Sequence, residues 1–201
     1  MRAWAPILLG LLALSAMPCR AKSDEPIFAS PNFNAAQIDR IDVYVIDPNN
    51  DTAHNRECIW GAKMGHMDNG GAQASLAKRG YNKDGHRGVT HFYGTQLALT
   101  EAMLTNPSKD WLQQLDDAGR WVMIITIDEL GSRGDPVKGL GRAALSLYLY
   151  DRDEGTLLWH DHAAKEHMWG GVLGNVMLKG EVKQVACGGL VKNMVMKLPK
   201  K

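Results

Sequence analysis

From Gly141 to His162 the chain alternates with period two: Ala144, Ser146, Tyr148 and Tyr150 fall on one side of a strand, and Leu145, Leu147 and Leu149 on the other. The run enters a polar turn, Asp151 to Gly155, and Leu157, Leu158 and Trp159 open a return strand. Glycine supplies the φ > 0 position that a five-residue hairpin loop needs, while aliphatic and aromatic residues suit a pleated, half-buried surface. The pattern predicts a long antiparallel hairpin near the centre of a sheet.

Elsewhere the period is shorter-lived. Ile41 to Asp47 reads as a strand stopped by Pro48 and the asparagines after it, with Asp47 capping the turn. Trp121 to Ile127 is the most apolar run, and its lack of alternation predicts burial on both faces, with Asp128 to Pro136 as the loop that follows. Helical spacing is expected over Gly70 to Lys78, capped by Asn69 and stopped by Gly80. It is expected again over Thr95 to Leu104, with a restart at Asn106 and Pro107 through Leu115. A last helix spans about Glu181 to Lys197, where Val182, Val185, Ala186, Leu190, Met194 and Leu198 share a face and Pro199 ends the run. Lys192 and Lys197 stand at its negative end. Asn50 to Asn69 and Tyr81 to Gly94 are polar and carry histidine and glycine, with one short strand expected near Val89 to Tyr93. Strand, helices, strand, hairpin and helix in that order give an α/β fold, or an α+β one: a mixed sheet with a long hairpin, helices packed on it and an amphipathic helix at the C-terminus.

The first residues change the picture of where such a domain works. Arg2, the apolar run Ala3 to Ala16 and the small residues up to Ala21 are the parts of a secretory signal peptide, too short to span a bilayer. Residues 1–21 are read as that signal, 22–38 as an unstructured lead-in, and 39–201 as a single globular domain. Cys19 is also a candidate lipid-anchor residue of a bacterial lipoprotein, although Ala16 and Pro18 stand where a lipobox has an aliphatic and a small residue. Loss of residues 1–21 removes Arg2 and Arg20 and takes the formal charge from +1 to −1, so no basic surface points to nucleic acid. No later segment is long and apolar enough to cross a membrane. In an oxidising compartment, Cys58 and Cys187 are expected to form a disulfide, the rival readings being two buried thiols or one thiol used as a ligand.

Several stretches together resemble a known group. The first strand ending in Asp47 and Pro48, the helix finishing in Leu76 to Tyr81, the hairpin Leu147 to Trp159 and the closing Leu198 and Pro199 are similar to envelope proteins built like the curli-secretion protein CsgG and the N-terminal domain of TolB. The resemblance implies a non-enzymatic accessory of an envelope assembly, secretion or transport system. Such a protein would be exported to the periplasm or held at the outer membrane and would act by binding another envelope protein or itself. The chain departs from the generic pattern in its lipobox and in histidine- and glycine-rich stretches at residues 54–66 and 85–91.

Candidate chemistry concentrates after the hairpin turn. His160 and His162 stand two apart, so one strand face presents both imidazoles, and Glu166 or His167 follows as a third ligand for zinc or copper. A periplasmic metal-binding protein using His160, His162 and His167 is therefore the alternative function. His54 and Cys58, four apart, suit one helical turn, with His66 nearby. Cys58 with His54, or with a distant histidine, is also a candidate nucleophile, and no G-x-S-x-G elbow is present. Asp128 and Glu129 follow the most buried strand; adjacent strand residues point to opposite faces, so without a bulge both cannot serve one substrate. Gly170 to Gly174 offers backbone N–H groups but lacks the lysine and hydroxyl of a phosphate loop. Trp159, Met168 and Trp169 are the expected apolar partner surface.

Overall fold

The computed structural model describes residues 26–48, 55–65, 71–82, 91–93, 99–115, 118–134, 138–170 and 179–201. Strands β1 (Phe28–Ala29), β2 (Ile41–Ile46), β3 (His91–Tyr93), β4 (Trp121–Gly134), β5 (Lys138–Asp151) and β6 (Thr156–Gly170) form one sheet in the order β1-β6-β5-β4-β2-β3. β2 runs parallel to β3 and β4, whereas β4, β5, β6 and β1 are antiparallel, so the sheet is mixed and the hairpin occupies its middle. Helices α1 (Arg56–Met64), α2 (Ala72–Arg79), α3 (Glu101–Thr105), α4 (Lys109–Leu112) and α5 (Lys179–Val195) complete an α/β architecture.

Each sheet face carries its own core. Val43, Val45, Met123, Ile125, Leu145, Leu147 and Leu149 meet Ile59 of α1, Leu76 of α2 and Leu190, Val191 and Met194 of α5. On the reverse face Tyr44, Ile46, Val122, Ile124, Tyr148 and Tyr150 meet Leu104 of α3, Trp111 and Leu112 of α4, and Leu115. This is why Trp121 to Ile127 shows no alternation: every residue of the run is buried.

The hairpin turn is anchored from both ends. Asp151 accepts from the backbone N–H groups of Asp153 and Glu154 and takes both ends of the Arg120 guanidinium, at 2.8 Å from Nη2. Arg152 donates to the carbonyls of Leu112, Gln113 and Ala118, and Tyr150 donates to Leu104 at 2.7 Å. Gly155 has the expected positive φ, +68°. A Cβ there would lie 2.8 Å from the Lys109 nitrogen, so the glycine also lets the turn lie against α4.

Several boundaries differ from the sequence reading, each for a local reason. The irregular segment expected over 50–69 contains α1, whose buried side is made of Cys58, Ile59, Gly61 and Ala62, too small to give a strong apolar stripe. β4 continues through the expected loop to Gly134, because the antiparallel ladder with β5 supports residues of weak strand propensity. Likewise β6 runs on to Gly170, so Met168 to Gly170 are strand backbone. Part of the lead-in is ordered: β1 pairs with β6, Asn34 caps a 3-10 turn over Ala35–Gln37, and Ile38 is fully buried. The second helix begins at Ala72 behind Gly71 and ends, as expected, at a left-handed Gly80. The two short helices are capped by Thr100, whose hydroxyl accepts from Met103, and begun at Ser108. α5 spans Lys179–Val195, shifted two residues toward the N-terminus of the expected range. The signal segment, Cys19, Asn69 and Gly171 to Gly174 lie outside the described residues.

Cys58 of α1 and Cys187 of α5 form the expected disulfide, with Cα atoms 5.3 Å apart. Both cysteines are fully buried, and the bond removes Cys58 as nucleophile or ligand. Beside it the helices come close: a Cβ on Gly61 would sit 2.1 Å from the Gln184 carbonyl oxygen.

Candidate functional site

Cross-strand register lines up residues of the α3/α4 face in rows across the sheet. One row reads Phe28, His160, Tyr148, Ile124, Tyr44 and His91; the next reads His162, Ser146, Thr126, Ile46 and Tyr93. Beneath the first row lie aromatic and aliphatic packing; the second, where β2 ends and its parallel pairing with β4 stops, turns polar.

The polar centre forms beside a bulge in β4. Ile127 pairs with Leu145 and Glu129 with Ala144, leaving Asp128 with no opposite residue. Asp128, two residues after Thr126, shares the face of Thr126 and Ser146 by strand alternation, and the bulge brings Glu129 round to that face as well. Asp128 Oδ1 accepts from Thr126 Oγ1 at 2.7 Å, and Asp128 Oδ2 accepts from Ser146 Oγ at 2.5 Å. His162 Nδ1 stands 3.2 Å from the same Oδ2 and 3.1 Å from Ser146 Oγ. A carboxylate oxygen accepts, so the proton between it and His162 is carried by Nδ1, and Nε2 is the ring nitrogen left outside this contact.

His160, the neighbour on that face, stacks on the Tyr148 ring with centroids 4.3 Å apart and planes 12° apart. Burial lowers its pKa below the ordinary histidine value, the nearby His162 adds to this, and Asp161 and Asp128 oppose it. Its ring is therefore neutral near pH 7. Asp161 between the histidines belongs to the opposite face: it is buried and bridged by Lys197 Nζ at 2.9 and 3.1 Å.

Serine, histidine and aspartate in contact invite comparison with a nucleophilic relay. Such a relay uses opposite imidazole nitrogens, one toward the carboxylate and one toward the hydroxyl. Here the same Nδ1 faces both, and Ser146 gives its proton directly to Asp128. The contact orients His162 and does not activate Ser146.

The structure sorts the other candidates. His160 and His162 share a face as expected, but β6 is in regular alternation through this part, and His167, paired with Gly141, falls on the odd-numbered rungs with Asp161. Its side chain, with those of Glu166, Met168 and Trp169, lies outside the described residues, as do His54 and His66. Among the described residues no group of three or more His, Cys, Asp or Glu is placed to hold a metal ion. Trp159 is not a partner surface: it is 4% exposed, pairs with Leu149 on the helical face and packs on Phe33 at 5.8 Å between centroids. Asp47 is a turn residue accepting from Asn55 Nδ2 at 2.7 Å. The Asp128 hub escaped the sequence reading; its only trace was an Asp-Glu pair directly after a buried strand. Among the described residues the exposed large apolar side chains are Ile27, Phe28, Trp60, Met64 and Met196, and no helix is long and apolar enough to cross a membrane.

No family model matches the chain, and no curated protein does. Among solved structures it is similar to the PelC dodecamer from Paraburkholderia phytofirmans, at 12% identity and a TM-score of 0.44 over 83% of this chain and 94% of that one. A lipoprotein from Neisseria meningitidis aligns at 15% identity and a TM-score of 0.36 over 72% and 98%. A minor lipoprotein from Acinetobacter baumannii aligns at 9% identity and a TM-score of 0.39 over 79% and 97%. Likenesses of this size assign the chain to no family.

Proposed function

We propose that this chain is an exported, non-enzymatic binding protein of the bacterial envelope, an accessory to an assembly, secretion or transport system. Its contact surface is the outer half of the β4–β5–β6 sheet. The observation that carries this reading is the reach of the ladder. Pairing of β4 with β5 continues four rungs past Leu130 and Ala143, the last of their residues in the described core, to Gly134 opposite Gly139. β6 accompanies β5 to Gly170 opposite Lys138, while β1 pairs with β6 only at Trp159 and His160. Among the described residues no strand covers the β6 edge from Asp161 to Gly170. An open strand edge with backbone N–H and C=O groups to spare is a template for an added strand of a partner.

Export is supported by the signal-like run Ala3 to Ala16 and by a buried disulfide, which persists in oxidising compartments. The non-relay geometry at Ser146 supports a binding role over hydrolysis. A photo-crosslinking residue at position 168, introduced into the protein in its own envelope, is expected to capture one partner, or a second copy, reproducibly. Trp169→Ala should reduce that capture without lowering the melting temperature; undiminished capture would overturn the placement of the surface.

A further inference from the structure

We propose that His160 and His162 form a two-imidazole site for a first-row divalent cation, copper(II) or zinc(II), on the α3/α4 face of β6, with Asp128 holding His162 in the ligating tautomer. This inference is independent of the partner-binding role. Alternate residues of a strand stand about 6.5–7 Å apart at their Cα atoms on one face, a span that two imidazoles close when both turn toward an ion about 2 Å from each nitrogen. Register puts both on that face, opposite Tyr148 and Ser146.

What distinguishes the pair from two strand histidines is the support behind it. Ligating histidines commonly give their other ring N–H to a carboxylate, which fixes tautomer and orientation and raises ligand basicity. Asp128 does this at His162 Nδ1, from the strand position two residues beyond Thr126 on the same face. Asp128 is in turn fixed by Thr126 and Ser146, so the orienting group is itself held. The side chain of His162 is 40% exposed, so Nε2 is presented at the surface and not inside the core. The next residue on that face of β6 is Ala164, a methyl that leaves room for a hydrated ion. At the other ligand, the Tyr148 ring, stacked at 4.3 Å between centroids, sets the plane of His160. Water completes the coordination, and imidazole nitrogen with open positions favours copper over zinc in affinity.

The test is titration of the purified, disulfide-intact mature protein with copper(II), followed by calorimetry and by electron paramagnetic resonance, and then with zinc(II) alone. One ion per chain is expected, with a nitrogen hyperfine pattern from two imidazoles, and copper binding tighter than zinc. His162→Ala should weaken copper at least tenfold and leave one imidazole in the spectrum; because His162 is exposed, this variant keeps its fold. Asp128→Asn is expected to weaken binding roughly tenfold with both nitrogens still in the spectrum, the signature of a positioning role. No saturable binding, or unchanged affinity and spectrum in the double His160→Ala, His162→Ala variant, would overturn the site. The latter result would place the ion on the remaining five histidines.

Discussion

Tyr81 is fully buried, and its hydroxyl donates to the Pro199 carbonyl at 2.8 Å. Burial pushes its pKa from the ordinary 10.0 up to about 12, opposed only by the Arg79 charge. A group whose acid form is favoured by folding contributes stability that is complete below its unfolded pKa and is lost as pH rises through the folded one. Stability is therefore expected to fall between about pH 10 and pH 12, by on the order of 2 kcal/mol from this residue. Tyr81→Phe should flatten that part of the profile in urea titrations at stepped pH. Tyr150, raised by burial in the same direction, keeps the remainder of the slope. A second residue effect is the Asp161–Lys197 pair. Lys197→Met leaves a nearly buried carboxylate without its cation and should cost about 3 kcal/mol in equilibrium unfolding. The sequence showed these residues without their circumstances. The two-residue spacing of His160 and His162 already put Asp161 on the opposite face, but its burial and its pairing with Lys197 became visible only in the fold. Asp128 was legible as an acid after a buried strand, but that β4 runs on past it, beside Ser146 and His162, leaves no mark in composition.

At the level of elements, the α1–α5 crossing is the tightest joint described. Gly61→Ala would drive a methyl into the Gln184 backbone and should destabilise by about 2–3 kcal/mol, since backbone cannot swing aside as a flexible side chain can. Breaking the disulfide with Cys58→Ser and Cys187→Ser releases a sequence separation of 129 residues, which a chain-entropy argument values at about 5 kcal/mol. Combined in one protein, the two changes should fall short of additive, because they loosen the same contact. Urea midpoints of the single Gly61→Ala, the double cysteine and the triple variants decide this. The strands of the hairpin and of the parallel pair were readable because alternation, or its complete loss, survives in a short window. α1 was not, because apart from Ile59 its buried residues are cysteine, glycine and alanine, too few large side chains to show a helical period. The outer ends of β4 and β6 were missed for a related reason: glycines, charges and a serine there are held in strand form by a neighbouring ladder and not by their own preference.

Across the whole molecule, the sheet is sandwiched unevenly. α1, α2 and α5 build the larger core on one face, while two short helices cover part of the other, and the polar row of His162, Ser146 and Thr126 begins past the aromatic row that they help to bury. The mixed α/β class followed from the order of elements, and the expected Cys58–Cys187 pair already tied the last helix to the segment after the first strand, whereas the strand order did not follow from the sequence. The last residues reinforce that tie. Arg79 Nη2 donates to Leu198, the Lys201 backbone donates to Arg79, and Lys201 Nζ donates to Ile38 at 2.8 Å. Because α5 and this tail fasten segments made much earlier, a chain emerging from its N-terminus carries an unmatched Cys58 thiol and an open core until residue 187 arrives. Maturation is thus timed by the end of delivery. A polypeptide interrupted before α5 would keep Cys58 as a free thiol and leave the larger core open on one side.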